Sequence, residues 1–389
     1  MLESKRQNNF DAVRLFLAVT VMLAHMMAIL PADYGPLKLF TGFLDGSRAV
    51  ECFFVISGFL IFRSYRSSRS LLSYAKKRTR RIYPALIAVV LVCALLGMVI
   101  TEISSAAYLS MQTLKYVLFN LAFMTFAQPD LPGVFAHNAE RYVNGPLWTL
   151  KVEVMFYAAV PFFCAFSRRF VRFDTLSVIV YAASVAFWTV MQHFAIGSSH
   201  ARMFDQVAHQ LPGQLSFFMA GALLEYRFED FRRHSTPIVV AAVSVLFAYS
   251  FVNIYVLYPA ALAVLVIYFC LLLPVSVPAA KYGDFSYGLY IVHFPIIQTF
   301  AALAILGDAP LLRALAVIGA CIVAAALSWH LVEKWWLTSP GRRSLAADVS
   351  TADSHRTSGL GDTGPRADSV LLIDAIDARE TLPAPRRPA

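Results

Sequence analysis

Two side chains able to do chemistry sit inside the first apolar run of the chain. Arg14 carries a guanidinium and His25 an imidazole, within the otherwise apolar stretch from Phe10 to Leu30. That stretch is long enough to cross a bilayer as a helix. The eleven residues from Arg14 to His25 advance at about 100° each, three turns plus about 20°, so both residues share one face, about 16 Å apart along the axis. Arg14 offers a planar fork suited to phosphate or carboxylate. His25 offers acid–base chemistry near neutral pH. Ionisable groups at membrane depth are costly and mark function.

The elements that hold this pair are membrane helices. Of the 389 residues, 58% are hydrophobic and 15% charged, and the mean hydropathy is +0.62, which excludes an ordinary soluble domain. The first run is too long for a signal peptide and has no small-x-small site before polar sequence. The expected fold class is all-α, a polytopic membrane bundle of about ten transmembrane helices. The spans are read near 10–30, 49–65, 82–101, 147–166, 175–194, 211–227, 236–251, 254–273, 285–306 and 311–336. Only Val252 and Asn253 separate the seventh from the eighth. Residues 1–338 form the membrane-embedded domain. Residues 339–389, rich in Arg, Asp, Ser, Ala and Pro, are expected to be a disordered cytoplasmic tail.

Loop charge sets the orientation. If the N-terminus is cytoplasmic, the inside segments hold most of the Lys and Arg, above all the run Lys76 to Arg81. The outside loops hold only Lys38, Arg48, Lys115, Arg141 and Arg202. This follows the positive-inside rule and puts both termini in the cytoplasm. The formal charge of +9 is thereby topology rather than a nucleic-acid footprint. The outside segment 102–146 contains an amphipathic stretch, Leu114 to Phe126, suited to the interface. The five cysteines lie in apolar runs without CxxC spacing, so they are packing residues rather than disulfides or a metal site.

Topology then fixes depth. Span one runs outward, which puts His25 in its outer half. Spans two and four run inward, which puts Glu51 near an outer end and Glu153 roughly 9 Å below one. The three are expected to meet at one level, where a carboxylate would orient the imidazole of a general base. The bland alternative for each is a buried polar group satisfied by a neighbouring helix. On the inner side Arg14, Arg63, Arg66 and the run Lys76 to Arg81 crowd one surface. Such a run serves topology and lipid contact, or it binds a phosphate-rich ligand through guanidinium forks.

The motifs that contain these residues resemble a known family. Phe10-Asp11-x-x-Arg14 followed by His25 resembles the Arg-x10-His signature of the acyltransferase-3 family of bacterial integral-membrane O-acyltransferases. Glu51-Cys-Phe-Phe-Val-Ile-Ser-Gly-Phe-Leu60, Lys77-Arg78-x-x-Arg81-Ile82-x-Pro84, Leu147-Trp148-x-Leu150-x-x-Glu153-x-x-Phe156-Tyr157 and Ser286-Tyr287-x-Leu289-Tyr290-x-x-His293-x-Pro295 resemble four further blocks, in order. The second block usually opens on Asp rather than Glu51, and a carboxylate common after the fourth block's Glu is Val154 here. The fused extracytoplasmic hydrolase-like domain of many relatives has no counterpart.

The resemblance implies acyl-CoA, commonly acetyl-CoA, as donor substrate. It implies the hydroxyl of a cell-surface glycan or of its lipid-linked precursor as acceptor. No metal or resident cofactor is expected. On this reading His25 and Glu153 are catalytic. Arg14, Arg63, Arg78 and Arg81 bind the donor, and Glu51, Trp148 and His293 contact the acceptor. His25 either deprotonates the hydroxyl or carries the acyl group transiently. Membrane lipids surround the protein, in the bacterial inner membrane. A transporter or flippase for an anionic or lipid-linked substrate would also bury Arg, His and Glu, but should show inverted repeats and matching broken helices, which the sequence lacks. A non-catalytic membrane subunit would not need Arg14 and His25 on one face. Ser57-Gly58 reads as a small pair for close helix packing.

Overall fold

The computed structural model describes residues 8–34, 45–275, 277, 279 and 283–337. Lys5, Arg6, Lys38, Lys281 and the tail 339–389 lie outside the described residues. Within them the chain is helical, with no strand. Ten principal helices match the expected spans: α1 Phe10–Ile29, α2 Gly46–Arg66, α3 Leu71–Ile100, α4 Trp148–Arg169, α5 Phe173–Ala195, α6 Leu211–Tyr226, α7 Ser235–Tyr249, α8 Tyr258–Leu271, α9 Phe285–Ala302 and α10 Pro310–Leu327. The segments containing α1, α3, α4, α5 and α10 are long and apolar enough to cross a membrane by length and composition alone. The molecule is a polytopic membrane helix bundle.

Two boundaries differ from the sequence reading. α3 starts at Leu71, eleven residues before the expected start of span three at 82, because Ser70 caps it through a hydrogen bond from the Ser73 amide. The basic run Lys76 to Arg81 is therefore helical rather than a loop. Arg78 and Arg81, three apart, project from one side of α3. Between α7 and α8 the linker runs from Ser250 to Leu257, well beyond the two residues expected, and α8 begins only at Tyr258 with Pro259 in its first turn. With 14 residues, α8 spans about 21 Å, short of a bilayer core of about 30 Å.

Lipid tails are as apolar as the helices, so close packing must hold the bundle together. α2 and α6 meet backbone to backbone. A Cβ on Gly58 would lie 1.9 Å from the Phe218 carbonyl oxygen, and one on Gly221 would lie 2.1 Å from that of Val55. Beside this crossing the Phe156 and Phe218 rings stack 4.0 Å apart. The outward faces are apolar; Val99 of α3 is 83% exposed. The short helix Met111–Leu121 turns Met111, Leu114 and Leu118 outward and buries Tyr116 and Asn120. That is the division expected of an interfacial helix. All five cysteines are buried and free.

α1 and α9 position the site. They run side by side in the same direction, since Arg14 meets Asp284 and His25 meets His293. α3 packs on the seam near its arginine end, and the start of α4 near its histidine end.

Candidate functional site at the seam of α1 and α9

At the arginine end the site is an ion cluster. Asp284 is the N-cap of α9, and its Oδ1 accepts from the amide and hydroxyl of Ser286. Its Oδ2 takes Arg14 at 3.2 Å and Arg81 at 2.7 Å. Burial by itself raises a carboxyl, but Arg14 and Arg81 outweigh it and hold Asp284 well below the usual carboxylate range. Arg81 also lies over the Tyr287 ring, 5.7 Å from its centroid. A π-helical turn, Ser328–Glu333, follows α10 and brings the Glu333 carboxylate to Gly288. Its Oε1 accepts from Ser328 at 2.8 Å, and its Oε2 is buried without a partner.

The sequence reading gave Arg14 no carboxylate partner. The structure ties it to Asp284, whose signature was an acidic N-cap just before the Ser286–Tyr287 block. Arg78 and Arg63 are different. Among the described residues Arg78 donates to the Ser64 hydroxyl, at 3.2 Å, and lies 5.6 Å from the centroid of Tyr157. Its Nε is buried without a partner. Arg63 lies against Phe59 and lines a cavity of about 310 Å³ with Arg66 and Arg227 and the carboxylates of Glu225, Glu229 and Asp230. Neither Arg63 nor Arg78 has a carboxylate within salt-bridge distance among the described residues, whereas Arg66 is paired with Glu225 at 2.9 Å.

Nine residues along α9, about 14 Å, the histidine end carries no ion pair. His25 Nδ1 lies 3.1 Å from His293 Nε2. The two rings stack with centroids 5.2 Å apart, and Phe294 closes on His25 edge-on at 5.2 Å. His293 Nδ1 is 3.1 Å from the Leu289 carbonyl. The loop before α4 is pinned above this end: Asn144 donates to Ile291 O, and the buried Gln298 donates to the carbonyls of Glu140 and Tyr142. One turn below, the Tyr290 hydroxyl meets Thr149 at 2.8 Å. Because Thr149 donates to Pro146 O, the proton between them belongs to Tyr290.

His25, Glu51 and Glu153, expected at one level, are not hydrogen-bonded to one another. The hydrogen-bond partner of His25 is an imidazole and not a carboxylate. Glu153, one turn beyond Thr149 along α4, accepts from Tyr157 at 2.5 Å. Glu51 accepts from Tyr258 of α8 at 2.6 Å. His293, expected on the acceptor side, is fully buried and stacked against His25. Trp148 is half-buried with its ring edge-on to His209 at 6.5 Å. Tyr157, Tyr258 and Asp284 were missed; Tyr157 left a sequence trace in its i,i+4 spacing from Glu153 and Asp284 in its place before the Ser286–Tyr287 block, whereas Tyr258 left none. Among the described residues no group of three His, Cys, Asp or Glu side chains is arranged to hold a metal ion.

Residues 7–333 match the family model described as an acyltransferase domain, acyltransferase type 3. The chain belongs to the acyltransferase-3 family. It is an O-acyltransferase. It is 29% identical over 341 residues to an "O-acetyl transferase" of Shigella phage Sf6, covering 86% of this chain and 97% of that one. It is 35% identical over 201 residues to "Nodulation protein 10" of Rhizobium leguminosarum bv. viciae, covering 50% of this chain and 53% of that relative. No solved structure matches the chain.

Proposed function

We propose that this acyltransferase moves an acetyl group from acetyl-CoA to a hydroxyl of a surface glycan or of its lipid-linked precursor, in the bacterial cytoplasmic membrane with both termini cytoplasmic. The observation that carries the reading is the polar seam of α1 and α9. It has cations at one end and an imidazole at the other, about 14 to 16 Å apart, on the order of an extended pantetheine arm. The arginine end faces the cytoplasm on the positive-inside argument, where CoA is found.

Arg78 and Arg63, free of carboxylate partners, take the donor phosphates. Arg14 and Arg81 are held by Asp284 and fix α1, α3 and α9 around the same end. Glu153, bonded to Tyr157, faces the donor arm between the two ends. The thioester carbonyl then lies beside His25. His25 takes the proton of the acceptor O–H, and the oxygen attacks the thioester carbon. The C–S bond breaks, and the CoA thiolate leaves with the proton that His25 had taken. Atoms and charge balance with no further reactant. Glu51 and Trp148, near the outer ends of their helices, are on the acceptor side.

The test uses the purified protein in lipid nanodiscs with radiolabelled acetyl-CoA and a bacterial surface-glycan extract. Label should appear in the glycan as an alkali-labile acetyl ester. Label confined to unreacted acetyl-CoA, across extracts from several hosts, would sink the reading. Uptake of intact saccharide into sealed vesicles without acylation would favour transport instead.

A further inference from the structure

A carboxylate is the usual partner that orients a catalytic imidazole. Here the atom facing His25 Nδ1 is the Nε2 of a second imidazole. The hydrogen-bond chain behind it assigns the proton of His293, and the Val21 backbone one turn before His25 offers that ring a second partner. The Leu289 carbonyl can only accept, so His293 Nδ1 must carry a hydrogen to donate across the 3.1 Å that separates them. His293 is fully buried, and its neighbours are His25, Tyr290 and Phe294. With no anionic partner there, the ring is neutral. A neutral imidazole with its hydrogen on Nδ1 has a bare lone pair on Nε2. That lone pair points at His25 Nδ1, 3.1 Å away. If His25 kept its proton on Nε2, two nitrogen lone pairs would face each other with nothing between them.

We infer that His293 is a positioning residue that holds His25 in the tautomer protonated on Nδ1, leaving His25 Nε2 unprotonated for reaction. The ring of His293 cannot turn away easily. It is stacked on His25, tied to the preceding turn of α9, and backed by Tyr290, whose hydroxyl is fixed by Thr149. Phe294 closes on the other side of His25, and Gly145 lets the start of α4 approach it; a Cβ there would lie 3.2 Å from the Phe294 ring. The arrangement sets the tautomer without placing a net charge at the histidine end. It also explains why a fully buried histidine stands at this position.

The inference rests on His25 being the base, so the experiment separates the two. Three variants are compared in the labelled acetyl transfer assay, in nanodiscs. His25→Ala should lose turnover. His293→Phe keeps a ring but removes the acceptor nitrogen, and should lower kcat about 100-fold or more while the KM for acetyl-CoA holds. His293→Gln can place its amide oxygen where Nε2 stands, and should recover to within about tenfold of the wild type. Nitrogen NMR of histidine-labelled wild type should show His25 protonated at Nδ1 and not at Nε2, with the preference lost in His293→Phe. Full turnover in His25→Ala removes the base and the reading above. Loss in His25→Ala with normal kcat in His293→Phe overturns only the role of His293. A wild-type His25 protonated at Nε2 overturns it as well, even if the His293 variants fail to fold.

Discussion

The two ends of the α1–α9 seam are built from opposite chemistries. At one end Asp284 gathers Arg14 and Arg81 into a partly buried ion cluster. At the other, two stacked imidazoles share one hydrogen bond, with no ion pair. A buried ion cluster is rigid because removing one member strands the others. A neutral hydrogen bond between imidazoles is worth far less, and can give up or take a proton during a reaction. The charged end holds helices from distant parts of the chain in place, and the neutral end is available for chemistry. The same contrast divides the arginines: Arg14 and Arg81 are consumed by Asp284, while Arg78 and Arg63 remain free to meet an anionic ligand.

The contrast breaks most visibly at Asp284. Asp284→Ala leaves two partly buried guanidinium groups without their shared acceptor. It should cost about 1 to 3 kcal/mol, read as a lower Tm or loss of folded protein in detergent. An unaltered Tm would mean that the cluster does not hold the helices. The pH dependence follows from the same carboxyl. Its folded value is depressed below the unfolded one, so its contribution is present above about pH 4 and fades as the pH falls towards the folded value. Asp284→Asn should therefore be less stable than the wild type at neutral pH, with the gap closing below about pH 4. A gap that widens in acid would reverse the sign of the argument.

The arginines sharpen it further. Arg14→Met should lower Tm by removing one arm of the cluster. Arg78→Met should leave Tm within a degree or two and raise the KM for acetyl-CoA about tenfold or more, the loss of one charge-assisted contact to phosphate. Calorimetry of CoA binding beside thermal unfolding separates the two. Equal effects of both variants on both readouts would erase the distinction between clamping and ligand-binding arginines. The smallest effect is expected at Glu153. Glu153→Gln keeps the hydrogen bond to Tyr157 and should change kcat by less than about tenfold, because the partner of His25 is His293. A loss as deep as that of His25→Ala would restore Glu153 as the group that orients the base.

Much of this was legible in the sequence, for reasons that also explain what was not. Hydrophobic runs report helices, so all ten principal helices were readable, and Gly58 was readable as a packing residue because small residues in membrane helices allow close approach. The face shared by Arg14 and His25 followed from helix geometry alone. Helix ends were less visible where capping and membrane burial disagree: Ser70 starts α3 in polar sequence, ahead of the apolar run. Partners on other helices left little trace. Asp284 lies 270 positions from Arg14, and nothing in local spacing announces that α9 runs beside α1. The depth argument placed His25, Glu51 and Glu153 at one level, but it could not say which helices are neighbours. Thus His25 found His293, Glu51 found Tyr258, and Glu153 found Tyr157.

The central claim is that the neutral end does chemistry while the charged end holds donor and fold. Its most direct test is His25→Ala, assayed in parallel for CoA binding by calorimetry, thermal unfolding, and transfer of labelled acetyl groups to a glycan extract. The expected result is wild-type CoA affinity and Tm with transfer reduced by at least about 100-fold. Transfer at a rate close to wild type would contradict the account, and so would a loss of transfer explained entirely by lost CoA binding.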